Sequence, residues 1–288
     1  MFIHGLWTHA TSWENWITLF RENGYEPTAP GWPGDADSAE LTRKNAVAVA
    51  DRGIAEVTDH YARIVTDLPT PPVLVGHSFG GLIVQRLLGM GYARGGVAVA
   101  PSSSAGARPV ARAVPLHVAG AEPSRHAQGH LVLTPESFRR SFANGVSREE
   151  SDRLYRSYAI PAPARPLFQA ALANFTPHSE ASVDTRRARG PLLMVAASVD
   201  RTVPATTVRA AFRVQLKNKG VTEFKQFEGR GTRSPSTTAG ATSPTPRWTS
   251  SAATGSPTAT DPPRAQAVMS FAVNRAHAAE PNTPTYTA

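Results

Sequence analysis

The sequence predicts an α/β fold: a mostly parallel, doubly wound sheet with a helical cap inserted between two of its strands. Three observations lead there. Apolar runs such as Val73-Leu74-Val75, Gly96 to Ala100 and Leu192 to Ala197 have the composition of strands buried on both faces. Segments of helical period alternate with them, which places helices on both faces of a parallel sheet. From Pro101 to about Gly190 the chain carries helical patterns but no strong strand, as an inserted cap would.

The elements are justified in order. Phe2-Ile3 reads as the end of a strand, so the core is expected to lack the earlier N-terminal strands of such a sheet. Thr11 and Glu14 form a T-x-x-E capping box for a helix with Trp13, Trp16, Ile17 and Phe20 on its apolar face, closed by Gly24. Tyr25 to Pro30 reads as a short strand, and Gly31-Trp32-Pro33-Gly34-Asp35 as a turn. Ile54, Val57, Tyr61, Ile64, Val65 and Leu68 recur at helical spacing until Pro71-Pro72. Leu82 to Leu88 predicts a strongly apolar helix, Pro135 to Asn144 and Arg148 to Tyr158 predict helices of the cap, and Thr222 to Phe227 predicts a further strand. The boundaries expected are a core from 1 to 100, a cap from 101 to 190, a second part of the core from 191 to 231, and a tail from 232 to 288. That tail is dominated by Thr, Ser, Pro, Ala and Gly without a period, the composition of a disordered segment.

Composition narrows the function classes. Hydrophobic residues make up 41% of the 288, enough for a large core. No cysteine is present, so disulfides, thiolate metal sites and a cysteine nucleophile are excluded. Neither a membrane-length apolar run nor an export signal is visible, which leads to the expectation of a cytoplasmic chain without a membrane partner. The net charge of +8 does not indicate nucleic acid, because the basic residues are scattered rather than clustered with aromatics. Only four of the 30 basic residues are lysines, a bias typical of G+C-rich genes. The sequence leaves the oligomeric state open.

Gly76-His77-Ser78-Phe79-Gly80 is a G-x-S-x-G motif directly after a strand and directly before an apolar helix. Small residues on both sides of the serine let two backbones approach at a strained turn. The turn lifts the hydroxyl to a helix N-terminus, where amides and dipole favour developing negative charge. His4-Gly5 ends an earlier strand. An oxyanion hole needs two backbone donors, one from the residue after the nucleophile, Phe79, and one from the loop after that earlier strand, Leu6. Trp7 is a candidate for lining the acyl pocket. Trp13 fits the pocket or the core equally. Asp200 closes the strand Leu192 to Ala197 downstream of Ser78, in the chain order Ser, Asp, His. Asp35 is a poorer acid because it precedes the serine.

The stretches HGLWTHATSW, GYEPTAPGWPGD, VLVGHSFGGL and SVDRTVP resemble motifs of the α/β-hydrolase fold superfamily, in its lysophospholipase and haloperoxidase-like esterase group, over residues 1 to about 231. The resemblance implies Ser78 as nucleophile, Asp200 as acid, and Leu6 and Phe79 as oxyanion donors. It also implies a catalytic histidine in a G-H motif just after the last strand. Here that strand ends Phe227-Glu228-Gly229-Arg230-Gly231, and Thr232 stands where the histidine is expected.

Of nine histidines only His277 comes after Asp200, deep in the tail and without a motif. Loss of one base after the Gly231 codon accounts for this. Restoring a C before Thr232, with G+C-rich codons, turns the next residues into HSLTIDHGWRDVA. The silent bases are a free choice, but the second base of each restored codon is the first base of the printed one. Thr232 must therefore restore to His, Asp, Asn or Tyr, while Ser234, Ser236 and Ser243, read as TCN, and Trp248 must restore to apolar residues.

Two functions are expected from these residues. The first is hydrolysis of a carboxylic ester or related acyl compound through an acyl-enzyme, with no metal or other cofactor, on a small-molecule substrate. Perhydrolysis through the same residues stays open. The second is a catalytically inactive scaffold, because the literal sequence lacks the triad histidine.

Overall fold

A computed structural model describes residues 1–107, 121–123 and 129–231. Its centre is a five-stranded, all-parallel sheet formed by β1 (Phe2–Ile3), β2 (Val73–His77), β3 (Gly95–Val99), β7 (Leu192–Val199) and β8 (Thr222–Gly231), lying side by side in that order. Alternation along the strands explains its two covered faces. Ile3, Leu74, Ala98, Leu192, Met194 and Ala196 point to one side. There they meet α3 (Ile54–Thr66), α4 (Phe79–Met90) and α8 (Ala205–Gln215) through residues such as Val57, Leu82, Ile83, Leu87 and Val208. Their neighbours Phe2, Val75, Val97, Leu193, Val195 and Phe227 point to the other side, with Trp13 and with Phe20 of α1 (Glu14–Glu22), while the short α2 (Ala39–Lys44) lies in the connection between α1 and α3.

Two local expectations need correction. The first helical turn is a 3-10 helix over Ala10–Trp13, and its cap is His9, whose side chain accepts from the Thr11 amide. Thr11 and Glu14 form no capping box, because the helix starts before Thr11. Tyr25 to Pro30 is not a strand: one hydrogen bond, from the Phe2 amide to the Thr28 carbonyl (2.7 Å), joins it to the sheet. Pro27 and Pro30 lack the amides that a ladder needs.

Between β3 and β7 lie α5 (Pro135–Phe142), α6 (Arg148–Tyr158) and α7 (Arg165–Ala171), as the helical pattern predicts. This stretch is not purely helical, however. Three short strands, β4 (Ala121–Pro123), β5 (His130–Leu133) and β6 (Ala162–Pro163), pair antiparallel in a separate sheet. None exceeds four residues, and β4 and β6 each carry a proline, so the sequence does not betray them. No helix among the described residues is long and apolar enough to cross a membrane. Thr232, His277 and the rest of 232–288 lie outside the described residues.

Candidate active site

A parallel sheet gathers the carboxyl ends of its strands along one edge. Here that edge receives His4 and Gly5 after β1, Ser78 after β2 and Asp200 after β7. Ser78 sits between the last residue of β2 and the first of α4, with φ 56° and ψ −121°. Few non-glycine residues adopt that backbone, and it is held by its surroundings. The Ser78 amide donates to the Val99 carbonyl (3.0 Å), and the Ser78 carbonyl accepts from the amides of Gly81 (2.9 Å) and Ser102 (3.0 Å).

The flanking glycines are required by close approach. A Cβ on Gly76 would strike the Gly80 carbonyl, and one on Gly80 would strike the carbonyls of Ile3 and His4. On Gly5 it would stand 2.8 Å from the Ser78 Cβ and 3.4 Å from the Ser78 Oγ. The Gly5–Leu6 peptide therefore lies directly beside the serine side chain. Among the described residues, nothing accepts from the backbone amides of Leu6 or Phe79.

His77 is buried, and burial pushes its imidazole down to about 4, so the ring is neutral near pH 7. Its Nδ1 has no hydrogen-bond partner among the described residues. Asp200 is buried as well, and its Oδ1 accepts from the amides of Thr202 (2.7 Å) and Val203 (2.8 Å). Two such bonds fix the orientation of the side chain. Register brings the last strand to the same corner, because Val199 pairs with Gly231. Residue 232 is the next in sequence.

Trp7 is 3% exposed and has φ 64°. Its Nε1 donates to the Leu131 carbonyl of β5 (3.2 Å), and its carbonyl accepts from the Ile160 amide (3.1 Å). Together with Leu6, Trp32, Arg52 and Ile160 it lines a small cavity beside the loop that follows β1. Trp13 is a core residue, its ring stacked on Phe2 at a centroid distance of 4.9 Å.

Asp35, the poorer candidate for the acid by chain order, pairs with His4. Its Oδ2 lies 2.9 Å from His4 Nε2, with both side chains 2% exposed. The signal available in sequence is the tight Gly31–Asp35 turn, which bends the carboxylate back onto the Trp32 amide (3.0 Å). No group of three or more metal-ligating side chains assembles among the described residues.

Comparison with known proteins fits this geometry. Residues 1–231 match the profile of the alpha/beta hydrolase family. No curated protein matches the chain in sequence. Among solved structures, a pyrethroid hydrolase from Sphingobium faniae JZ-2 shares 16% identity with a TM-score of 0.58, over 96% of this chain and 97% of that one. A monoacylglycerol lipase from Paleococcus ferrophilus shares 20% identity with a TM-score of 0.55, over 81% and 84%. A methylesterase from Arabidopsis shares 16% with a TM-score of 0.53, over 80% and 90%.

Proposed function

The chain belongs to the alpha/beta hydrolase family, and on that premise we propose that it descends from a serine esterase acting on small carboxylic esters or related acyl compounds. The observation that carries this reading is the strained turn at Ser78, with φ 56°, directly against Gly5. In the reaction Ser78 Oγ attacks the acyl carbon while a histidine takes its proton. Asp200 orients that histidine, and the Leu6 and Phe79 amides stabilise the oxyanion. The alkoxide leaves with the proton, and water then releases the acid from Ser78. The segment between β3 and β7, read as a cap, would receive the acyl group. Similar folds in hydrolases named for pyrethroids, monoacylglycerols and methyl esters support the ester class.

A second reading concerns the literal chain, and the missing histidine favours it: a scaffold with impaired chemistry. Loss of the histidine alone costs on the order of 10⁶ in kcat in a comparable serine enzyme. Hydrolysis of p-nitrophenyl butyrate decides between the two readings. The chain as it stands should be weak. A chain with one cytosine inserted after the Gly231 codon should gain several orders of magnitude, and Ser78→Ala should remove the gain. Thr232→His alone should recover little, because the loop holding the imidazole is still wrong. A restored chain no faster than the literal one would sink the esterase reading.

A further inference from the structure

We infer that His4 is a positioning residue: its ring, clamped between Gly5 and Asp35, sets the plane of the Gly5–Leu6 peptide and so aims the Leu6 amide. The inference rests on the reading of Leu6 as an oxyanion donor. His4 Nδ1 lies 2.9 Å from the Gly5 carbonyl oxygen. A carbonyl only accepts, so Nδ1 carries a proton and donates it. On the other side of the ring, Nε2 lies 2.9 Å from Asp35 Oδ2. That oxygen also accepts from the Trp32 amide (3.0 Å), which reaches Nε2 as well (3.2 Å). The ring is thus held on both edges, by the Gly5 carbonyl at Nδ1 and by the Asp35 carboxyl group and the Trp32 amide at Nε2. The Trp32 indole completes the frame, its Nε1 donating to the His4 carbonyl (3.0 Å).

The consequence lies in peptide geometry. The Gly5 carbonyl and the Leu6 amide belong to one planar trans unit, so their C=O and N–H vectors are opposed. Drawing the carbonyl toward the His4 ring holds the Leu6 N–H pointing away from it. Gly5 needs such a restraint. It must lack a side chain, because a Cβ would stand 2.8 Å from the Ser78 Cβ, and glycine leaves the peptide plane free to rotate. The contact also strengthens the donor, since a hydrogen bond on the carbonyl polarises the whole amide. Beyond Leu6 the chain is fixed by the Trp7 carbonyl, which accepts from Ile160 (3.1 Å).

The test uses the full chain labelled with ¹⁵N. The His4 Nδ1 proton, held by the Gly5 carbonyl, should exchange slowly with water, and Asp35→Asn, which loosens the ring, should speed that exchange. His4→Ala should shift the Leu6 amide resonance and broaden it by exchange, while leaving the far-UV spectrum unchanged. A rapidly exchanging His4 Nδ1 proton, or a Leu6 amide indifferent to His4→Ala, overturns the clamp. If His4→Ala does not fold, the ring spectra of the unsubstituted chain and of Asp35→Asn still decide. Hydrolysis of p-nitrophenyl acetate by the chain restored with one cytosine after the Gly231 codon gives the second arm. His4→Ala should lower kcat about tenfold with KM unchanged, less than deleting an oxyanion donor outright. A held Leu6 amide with unaltered kcat would overturn the oxyanion role of Leu6 while leaving the clamp intact. Absence of any hydrolysis would count against the esterase reading alone.

Discussion

Ser78 occupies a backbone conformation that disfavours every side chain, and its neighbours bear the strain of holding it there. Such a residue costs roughly 1–3 kcal/mol, and glycine avoids most of that cost. Ser78→Gly should therefore raise the urea midpoint of the chain, by about 1 kcal/mol of stability, while eliminating any serine chemistry. A lower midpoint would mean that the hydroxyl stabilises the turn. His77, the residue before it, makes stability depend on pH. Its folded-state pKa of about 4 lies below the ordinary 6.5 of an unfolded histidine. Between those values the unfolded chain binds a proton that the folded chain refuses. The contribution is thus intact above pH 6.5 and is lost as pH falls toward 4, by about 3 kcal/mol at most. Urea midpoints at pH 7.5 and 4.5 should fall less in His77→Gln than in the unsubstituted chain. An equal fall would remove His77 from the account.

At the scale of elements, the site is made by interlocking glycines. Gly80 at the start of α4 touches the carbonyls of Ile3 and His4, so three elements, β1, β2 and α4, meet without intervening side chains. Gly80→Ala should cost more than about 3 kcal/mol or prevent folding, since backbone has nowhere to yield. Gly24 offers the contrast: its φ is +80° but an added Cβ would meet nothing within 4 Å. Gly24→Ala should cost only about 1 kcal/mol, the strain of its backbone alone. Comparable losses at both positions, measured by thermal unfolding, would refute the interlock. Spacing made this element legible, because G-x-S-x-G after an apolar run and before an apolar helical pattern encodes the turn locally. The strands β4 to β6 were not legible, since each is four residues or fewer and β5 and β6 pair across about 30 residues of chain, which their own composition does not announce.

For the molecule as a whole, the register of Val199 with Gly231 carries the last strand to the Asp200 corner. The reading frame then decides which residues come after Gly231. If one base is missing after the Gly231 codon, the restored chain gains an amphipathic closing segment and buries more surface. Its urea m-value should exceed that of the literal chain, because m scales with the area exposed on unfolding. Equal m-values and midpoints would argue that the present tail already belongs to the fold.

The sequence by itself determined the parallel sheet, the helices α3, α4, α5 and α6, and the position of Ser78 between strand and helix. Each depends on neighbours along the chain: a period of two or of 3.6, a proline stop, or small residues at fixed offsets. Only the tertiary structure decided that Asp35 belongs to His4 rather than to solvent, that Trp7 is tied to β5, and that Trp13 stacks in the core on Phe2. Those contacts join residues whose separation is set by how the chain returns. Burial then assigns their chemistry, since a carboxylate 2% exposed must find a partner that an exposed one does not need.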